Sequence, residues 1–196
     1  MTGDEILSLF RNCSALLDGH FRLSSGLHSP GYLQCALVLQ HPAHAAALGA
    51  ALASRVRALR PSAVLSPALG GVIIGHEVAR GLDARALFAE RENAVLTLRR
   101  GFRLSAGERV VVVEDVVTTG GSTRETIEVA RQAGAEVVAA AAIIDRSGGR
   151  AALDVPLHAL VALSLPTYAP EACPLCTSGL PLTKPGSRPT AGTEPA

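Results

Sequence analysis

Apolar residues recur at helical spacing from the start of the chain. Ile6, Leu7, Phe10, Cys13, Leu16 and Leu17 fall on one face between Asp4 and Leu17, which predicts an amphipathic helix. From Gly19 to Gln40 that period is lost. Gly26 and Pro30-Gly31 punctuate short β-prone pieces such as Tyr32-Leu33-Gln34-Cys35, so a small hairpin-like appendage is expected there. Pro42 suits the first turn of a second helix, which runs through an alanine-rich stretch to about Leu59 and is stopped by Pro61.

Beyond this point strands and helices alternate. Ala63–Ser66 reads as a short buried strand, Pro67–Gly71 as a loop, and Val72–Arg80 as a helix ending at Gly81. Ala84–Phe88 is the next strand, and Val95–Leu98 followed by Arg99-Arg100-Gly101 is either a hairpin or a mobile loop. Arg109–Val113 is the strongest strand signal and feeds a Thr/Gly/Ser loop, then a helix from about Ser122 to Ala133 that Gly134 closes. The apolar run Val137–Ile144 suits a sheet covered on both faces, and Ala159–Leu163 is the last expected strand. Such alternation predicts an α/β fold with a parallel sheet, right-handed crossovers, and ligands at the carboxyl ends of the strands. The stretch after Lys184 is polar and rich in Pro and Gly, which predicts a disordered tail. The expected organisation is a helix and appendage over 1–40, an α/β core over 41–165, an extension over 166–184 and a tail over 185–196.

Composition narrows the class. A chain of 196 residues, 48% hydrophobic, can bury one sizeable core. A net charge of +1 with 3% aromatic residues offers no basic face or stacking platform, so no nucleic-acid partner is expected and a small anionic ligand fits better. No apolar run approaches the roughly 20 residues of a membrane helix, and Met1-Thr2-Gly3-Asp4-Glu5 lacks a basic leader, so a cytoplasmic protein with no membrane partner is expected. Cys13, Cys35, Cys173 and Cys176 have neither the density nor the spacing of a disulfide framework. Cys173 and Cys176 form a C-x-x-C that could supply half of a zinc site. With no second half at a sensible spacing, two ordinary cysteines in a turn are the expectation. His20, His28 and His76 are read as structural or solubilising rather than as acids or bases.

The chemistry concentrates in Val110–Thr123. Two acids, Glu114 and Asp115, end a buried strand; Val116 and Val117 lead into Thr118, Thr119, Gly120, Gly121, Ser122 and Thr123. The glycines let consecutive amides point inward, the following helix adds its positive end, and the hydroxyls add donors, which makes a pocket for a phosphate monoester without a lysine. The carboxylates suit the two hydroxyls of a ribose and a hydrated Mg2+. A Walker loop would need a lysine before Ser122, and a dinucleotide fold would place its glycines before the acid. The bland alternative is a strand-turn-helix with both acids solvated at the surface.

This run resembles the signature of type I phosphoribosyltransferases, which bind 5-phosphoribosyl 1-pyrophosphate (PRPP). Asp18–Ser29 resembles the hood segment of orotate phosphoribosyltransferases, as does Ile143-Ile144-Asp145-Arg146 after its buried strand. The resemblance covers residues from about 5 to 165. It implies a type I core with helices on both faces, a small hood formed mainly by the N-terminal segment, and transfer of phosphoribose to orotate in pyrimidine synthesis. It also implies Mg2+ held mainly through PRPP, with Asp115 a further contact through water, and a homodimer with shared sites. Glu114 and Asp115 would hold the ribose hydroxyls, Thr118 to Ser122 the 5-phosphate, and Thr118 and Arg146 the orotate. Leu69, Gly70 and Gly71 would lie beside the pyrophosphate. Arg146 alternatively pairs with Asp145 at the surface, and Ser66–Gly71 is alternatively a plain turn. Family lysines are replaced here by Ser24 and Gly70, and Arg91, Arg99 and Arg100 are the candidate substitutes in a lid over 90–104, with Arg91 placed among the catalytic residues. A transferase for uracil or a purine, or a PRPP-sensing regulator, would share the same loop.

Overall fold

A computed structural model describes residues 1–23 and 25–185. Ser24 and, apart from Pro185, the expected tail lie outside the described residues. The chain divides into two compact units, one of residues 1–15 and 34–164 and the other of residues 16–33 with the chain from 165 onward.

In the first unit, α1 (Gly3–Asn12) is fixed by a capping box: Glu5 N–H donates to the Thr2 hydroxyl at 3.2 Å, and Thr2 N–H donates to the Glu5 carboxylate at 2.7 Å. Ile6 and Phe10 are fully buried, so this helix belongs with the core and not with the appendage as the 1–40 grouping had it. The helix also stops short of Leu17. Leu16 and Leu17 pair instead with Leu33 and Tyr32 in an antiparallel ladder, a case of strand pairing overriding helical spacing. The second unit opens with the strands of that ladder, β1 (Leu16–Arg22) and β2 (His28–Leu33). Its later segment contributes α6 (Pro174–Thr177), a bridge from Tyr168 to His28 and one from Thr183 to Phe21. Its buried hydrophobic side chains, among the described residues, are Leu16, Phe21 and Cys173, beside the buried polar His20, His28 and Ser29.

The first unit continues with α2 (Ala36–Leu39), α3 (Pro42–Val56), β3 (Ala63–Pro67), α4 (Gly70–Leu82), β4 (Arg85–Glu92), β5 (Val95–Leu98), β6 (Arg109–Val117), α5 (Gly121–Gln132), β7 (Glu136–Asp145) and β8 (Leu157–Ala162). Six strands form one sheet in the order β5-β4-β3-β6-β7-β8, with β5 antiparallel to β4 and every other pair parallel. Val110 to Val113 and Ala139 to Ile144 are almost wholly buried, as their unbroken apolar runs require of strands covered on both sides. The period of two sorts β3 between those coverings. Ala63 and Leu65 share a cluster with Ala130 of α5, while Val64 and Ser66 face Gly75 of α4. Residues 85–98 form a hairpin whose turn, Asn93 and Ala94, has φ of 50° and 69°, the left-handed pair of a tight two-residue connection.

Candidate active site

β6 is the central support of the site. Its run of buried valines, Val110 to Val113, is followed by Glu114, whose side chain turns back under the next loop: Ser122 Oγ donates to Glu114 Oε2 at 2.7 Å, and Thr123 Oγ1 lies at 3.5 Å from the same oxygen. Gly120 precedes α5 with φ +77°, and a Cβ there would meet Leu153 Cδ2 at 2.9 Å, so the sharp entry into the helix is open only to glycine. The free amides of the first turn of α5 therefore point out of the loop formed by Thr118, Thr119 and Gly121, with both threonines exposed. Ser122, expected to serve the phosphate through its hydroxyl, is engaged with Glu114.

The fold joins this loop to a second motif 45 residues upstream (115 − 70 = 45). A Cβ on Gly70, the first residue of α4, would lie 3.0 and 3.1 Å from the two carboxylate oxygens of Asp115. The segment Leu69-Gly70-Gly71 and the acid pair thus border the same space, with the positive end of α4 toward Asp115. Leu69 is exposed, and the Ala68–Leu69 peptide is cis. A side chain at 70, where the family resemblance leads one to expect lysine, would occupy the space beside the carboxylate.

Arg146 follows β7, and its backbone N–H donates to Val117 O at 2.7 Å, which sets it beside Thr118. Its Nε is buried with no hydrogen-bond partner among the described residues. The alternative pairing with Asp145 is not formed, and Asp145 Oδ1 accepts from Ser147 N–H at 2.7 Å. Cys35, just ahead of α2, was not singled out by the sequence. Its buried thiol sits close enough to the Asp115 carboxylate and the Arg146 guanidinium for each to feel the others' charge. A single cysteine amid β-prone residues gives no signal of that placement. Arg91, Arg99 and Arg100 are paired with Glu125, Glu92 and Glu90 at 2.8, 3.4 and 2.7 Å, so the arginine-rich hairpin holds its cations in carboxylate partnerships. Glu125 lies about one turn into α5, which brings Arg91 alongside the helix that follows the Thr118–Gly120 loop.

Burial governs the electrostatics. Loss of water pushes the Glu114 carboxyl up to about 7, opposed by the Ser122 hydroxyl and reinforced by the neighbouring Asp115 charge. Asp115 is also raised, chiefly by burial, while the Val116 amide and the Cys35 thiol pull it back. Burial lowers the Arg146 guanidinium and raises the Cys35 thiol. Two acids raised by burial and a guanidinium whose Nε has no hydrogen-bond partner among the described residues mark this loop as a candidate ligand site.

The raised Glu114 pKa has a sign that can be checked. Folded protein binds more protons than unfolded protein between the ordinary glutamate range and about pH 7, so stability falls as pH rises through that window. For this one group the full effect is about 3 kcal/mol. Thermal melts of the ligand-free chain from pH 5 to 7.5 should show a declining midpoint, and Glu114→Gln should flatten most of that decline. A wild-type curve that rises across the window, or a variant that declines as steeply, would contradict the assignment.

Known proteins share this architecture. Residues 36–157 match the family model described as the phosphoribosyl transferase domain. The chain is 54% identical over 188 residues to an orotate phosphoribosyltransferase of Pelotomaculum thermopropionicum, covering 96% of this chain and 99% of that protein. It is 52% identical over 191 residues to an orotate phosphoribosyltransferase of Rhizorhabdus wittichii, covering 96% and 97%. Among solved structures, orotate phosphoribosyltransferase from Aeropyrum pernix matches with a TM-score of 0.65 at 29% identity, over 81% of this chain and 93% of that one.

Proposed function

The chain belongs to the phosphoribosyl transferase family, and from that premise we propose that it transfers the phosphoribosyl group of PRPP to orotate, giving orotidine 5′-phosphate and pyrophosphate. The observation that weighs most is the convergence at the end of β6 of a desolvated acid pair, a glycine-opened helix start and an unpartnered arginine. In this reading the 5-phosphate takes the amides and hydroxyls from Thr118 to Ser122, and Glu114 and Asp115 accept hydrogen bonds from the ribose diol. Leu69 to Gly71 receive the pyrophosphate by backbone approach, since no side chain intrudes at Gly70. The Arg146 guanidinium and the Thr118 hydroxyl orient orotate, the first through a charge-assisted contact with its carboxylate or a ring carbonyl.

The bond from the base nitrogen to C1 forms as the bond from C1 to pyrophosphate oxygen breaks. Little covalent work is asked of the protein. It fixes both reactants in line and surrounds developing charge with dipoles already in place. Mg2+, carried mainly on PRPP, supplies charge neutralisation for the leaving group when bound. Asp115 is the residue suited to hold it through water, because an all-oxygen, desolvated carboxylate beside the space at Gly70 matches a hard cation. The hairpin and the loop to residue 104 form a lid, in which Arg91 exchanges Glu125 for pyrophosphate as the site closes. A homodimer acting in the cytoplasm completes the proposal; no described helix is long and apolar enough to cross a membrane.

The test supplies purified protein with PRPP, Mg2+ and, separately, orotate, uracil, adenine, guanine or hypoxanthine, and follows pyrophosphate release. Fast release with orotate alone is expected. Release with a purine or uracil and none with orotate would replace the substrate assignment while leaving the PRPP site standing.

A further inference from the structure

The second unit brings together four side chains that the transfer reaction does not use. His20 lies on β1, His28 on β2, Cys173 just before α6 and Cys176 within it. One ligand atom from each falls within 4.8 Å of all the others. His20 Nε2 is 3.0 Å from His28 Nδ1, 3.5 Å from Cys173 Sγ and 3.8 Å from Cys176 Sγ, and Cys176 Sγ is 3.3 Å from His28 Nδ1. The sequence reading had found no partner for the C-x-x-C; the fold supplies one, from the opposite end of the chain.

We infer that these four residues form a tetrahedral site for a structural Zn2+. Bonds of about 2.0 Å to nitrogen and about 2.3 Å to sulfur at tetrahedral angles put two nitrogens about 3.3 Å apart and a nitrogen and sulfur about 3.5 Å apart. The cluster has those spacings, contracted for the nitrogens by a few tenths of an ångström. The donor set, two sulfurs and two imidazoles, is that of closed structural zinc sites. Orientation agrees with composition. His20 Nδ1 lies 2.8 Å from Leu180 O, so its proton goes to that carbonyl and leaves Nε2 with its lone pair toward the cluster, the outer-shell arrangement typical of metal-bound histidine. Charge also closes: two thiolates balance one divalent cation, so a buried site ends neutral.

The surroundings explain why an ion would be wanted. This unit buries few apolar side chains, while two imidazoles are 2% and 4% exposed. Small units with so little core rely on staples, and here the staple would join the hairpin to residues 148 and 153 positions further along the sequence. Binding releases the thiol protons, so affinity should rise with pH.

The full-length chain, purified under reductant without chelator, should contain one zinc per chain by elemental analysis, and Cys176→Ser and His28→Gln should each lose most of it. Metal-stripped wild-type protein titrated with Co2+ should develop a thiolate-to-cobalt charge-transfer band and the intense visible bands of tetrahedral cobalt, abolished by one equivalent of Zn2+. If stripping unfolds the unit, the zinc content as purified decides. Reduced wild-type protein that is purified without zinc and takes up neither ion, full zinc retention in both variants, or an octahedral cobalt spectrum would overturn the assignment. The readouts are metal content and spectrum, so they stand apart from whether orotate is the substrate.

Discussion

Asp115→Asn is expected to lower turnover by about 10²- to 10³-fold, with the thermal midpoint unchanged or slightly higher. The asymmetry comes from where the carboxylate stands. Its charge is disfavoured by burial, and the folded protein tolerates it through one amide, one thiol and the positive end of α4. An amide of the same shape keeps the acceptor oxygen that the Val116 N–H uses and removes the desolvation cost. It also gives up the negative charge that, in the proposed mechanism, steadies the ribose diol and positive charge developing at C1. The measurement pairs steady-state pyrophosphate release with a melting curve on the same preparation. Wild-type turnover in a folded variant would remove Asp115 from the reaction. A large loss of stability would show the residue to be structural.

Arg146→Met should raise the KM for orotate by about 10²-fold, corresponding to one charge-assisted contact of about 3 kcal/mol, and leave the KM for PRPP close to wild type. The variant fills similar volume with no donor. Because the guanidinium Nε is buried without a partner, its removal relieves an unsatisfied group, and the stability of the ligand-free protein should hold or improve. Arg146→Lys should fail to rescue, since a point charge does not reproduce a planar fork. Equal increases in both KM values would shift Arg146 from base recognition to a general role in closing the site.

Much of the fold is legible in the residue pattern. Val110 to Val113 announce a buried strand, and acids at its end with glycines behind them define both the candidate phosphate loop and the helix that follows, because each step is local. What sequence left open is non-local. Cys35 meets Asp115 only because α2 packs near the end of β6, and Gly70 meets it only because β3 and β6 are neighbours in the sheet. Local spacing was overridden at Leu16 and Leu17, where a ladder partner decided the conformation. Taken singly, His20 and His28 look like structural histidines, and a cluster whose histidines and cysteines stand up to 156 residues apart leaves no periodic trace.

The arginines of residues 91–100 show the same dependence on placement. Their residue type suggested a set of free cations for pyrophosphate, and the fold gives each a glutamate. Exposed pairs of this kind are weak, so exchanging a carboxylate for a polyphosphate, as the proposed lid requires, would cost little.

Ser66 and Gly75 hold a further implication. The serine hydroxyl is buried without a partner among the described residues, and a methyl group at 75 would run into it, so helix and strand touch there with no slack. Glycine has nothing left to give up, so the constraint runs one way: a side chain at 75 has room only after residue 66 has lost its hydroxyl, whereas Ser66→Ala alone removes an unsatisfied group and opens the crossing.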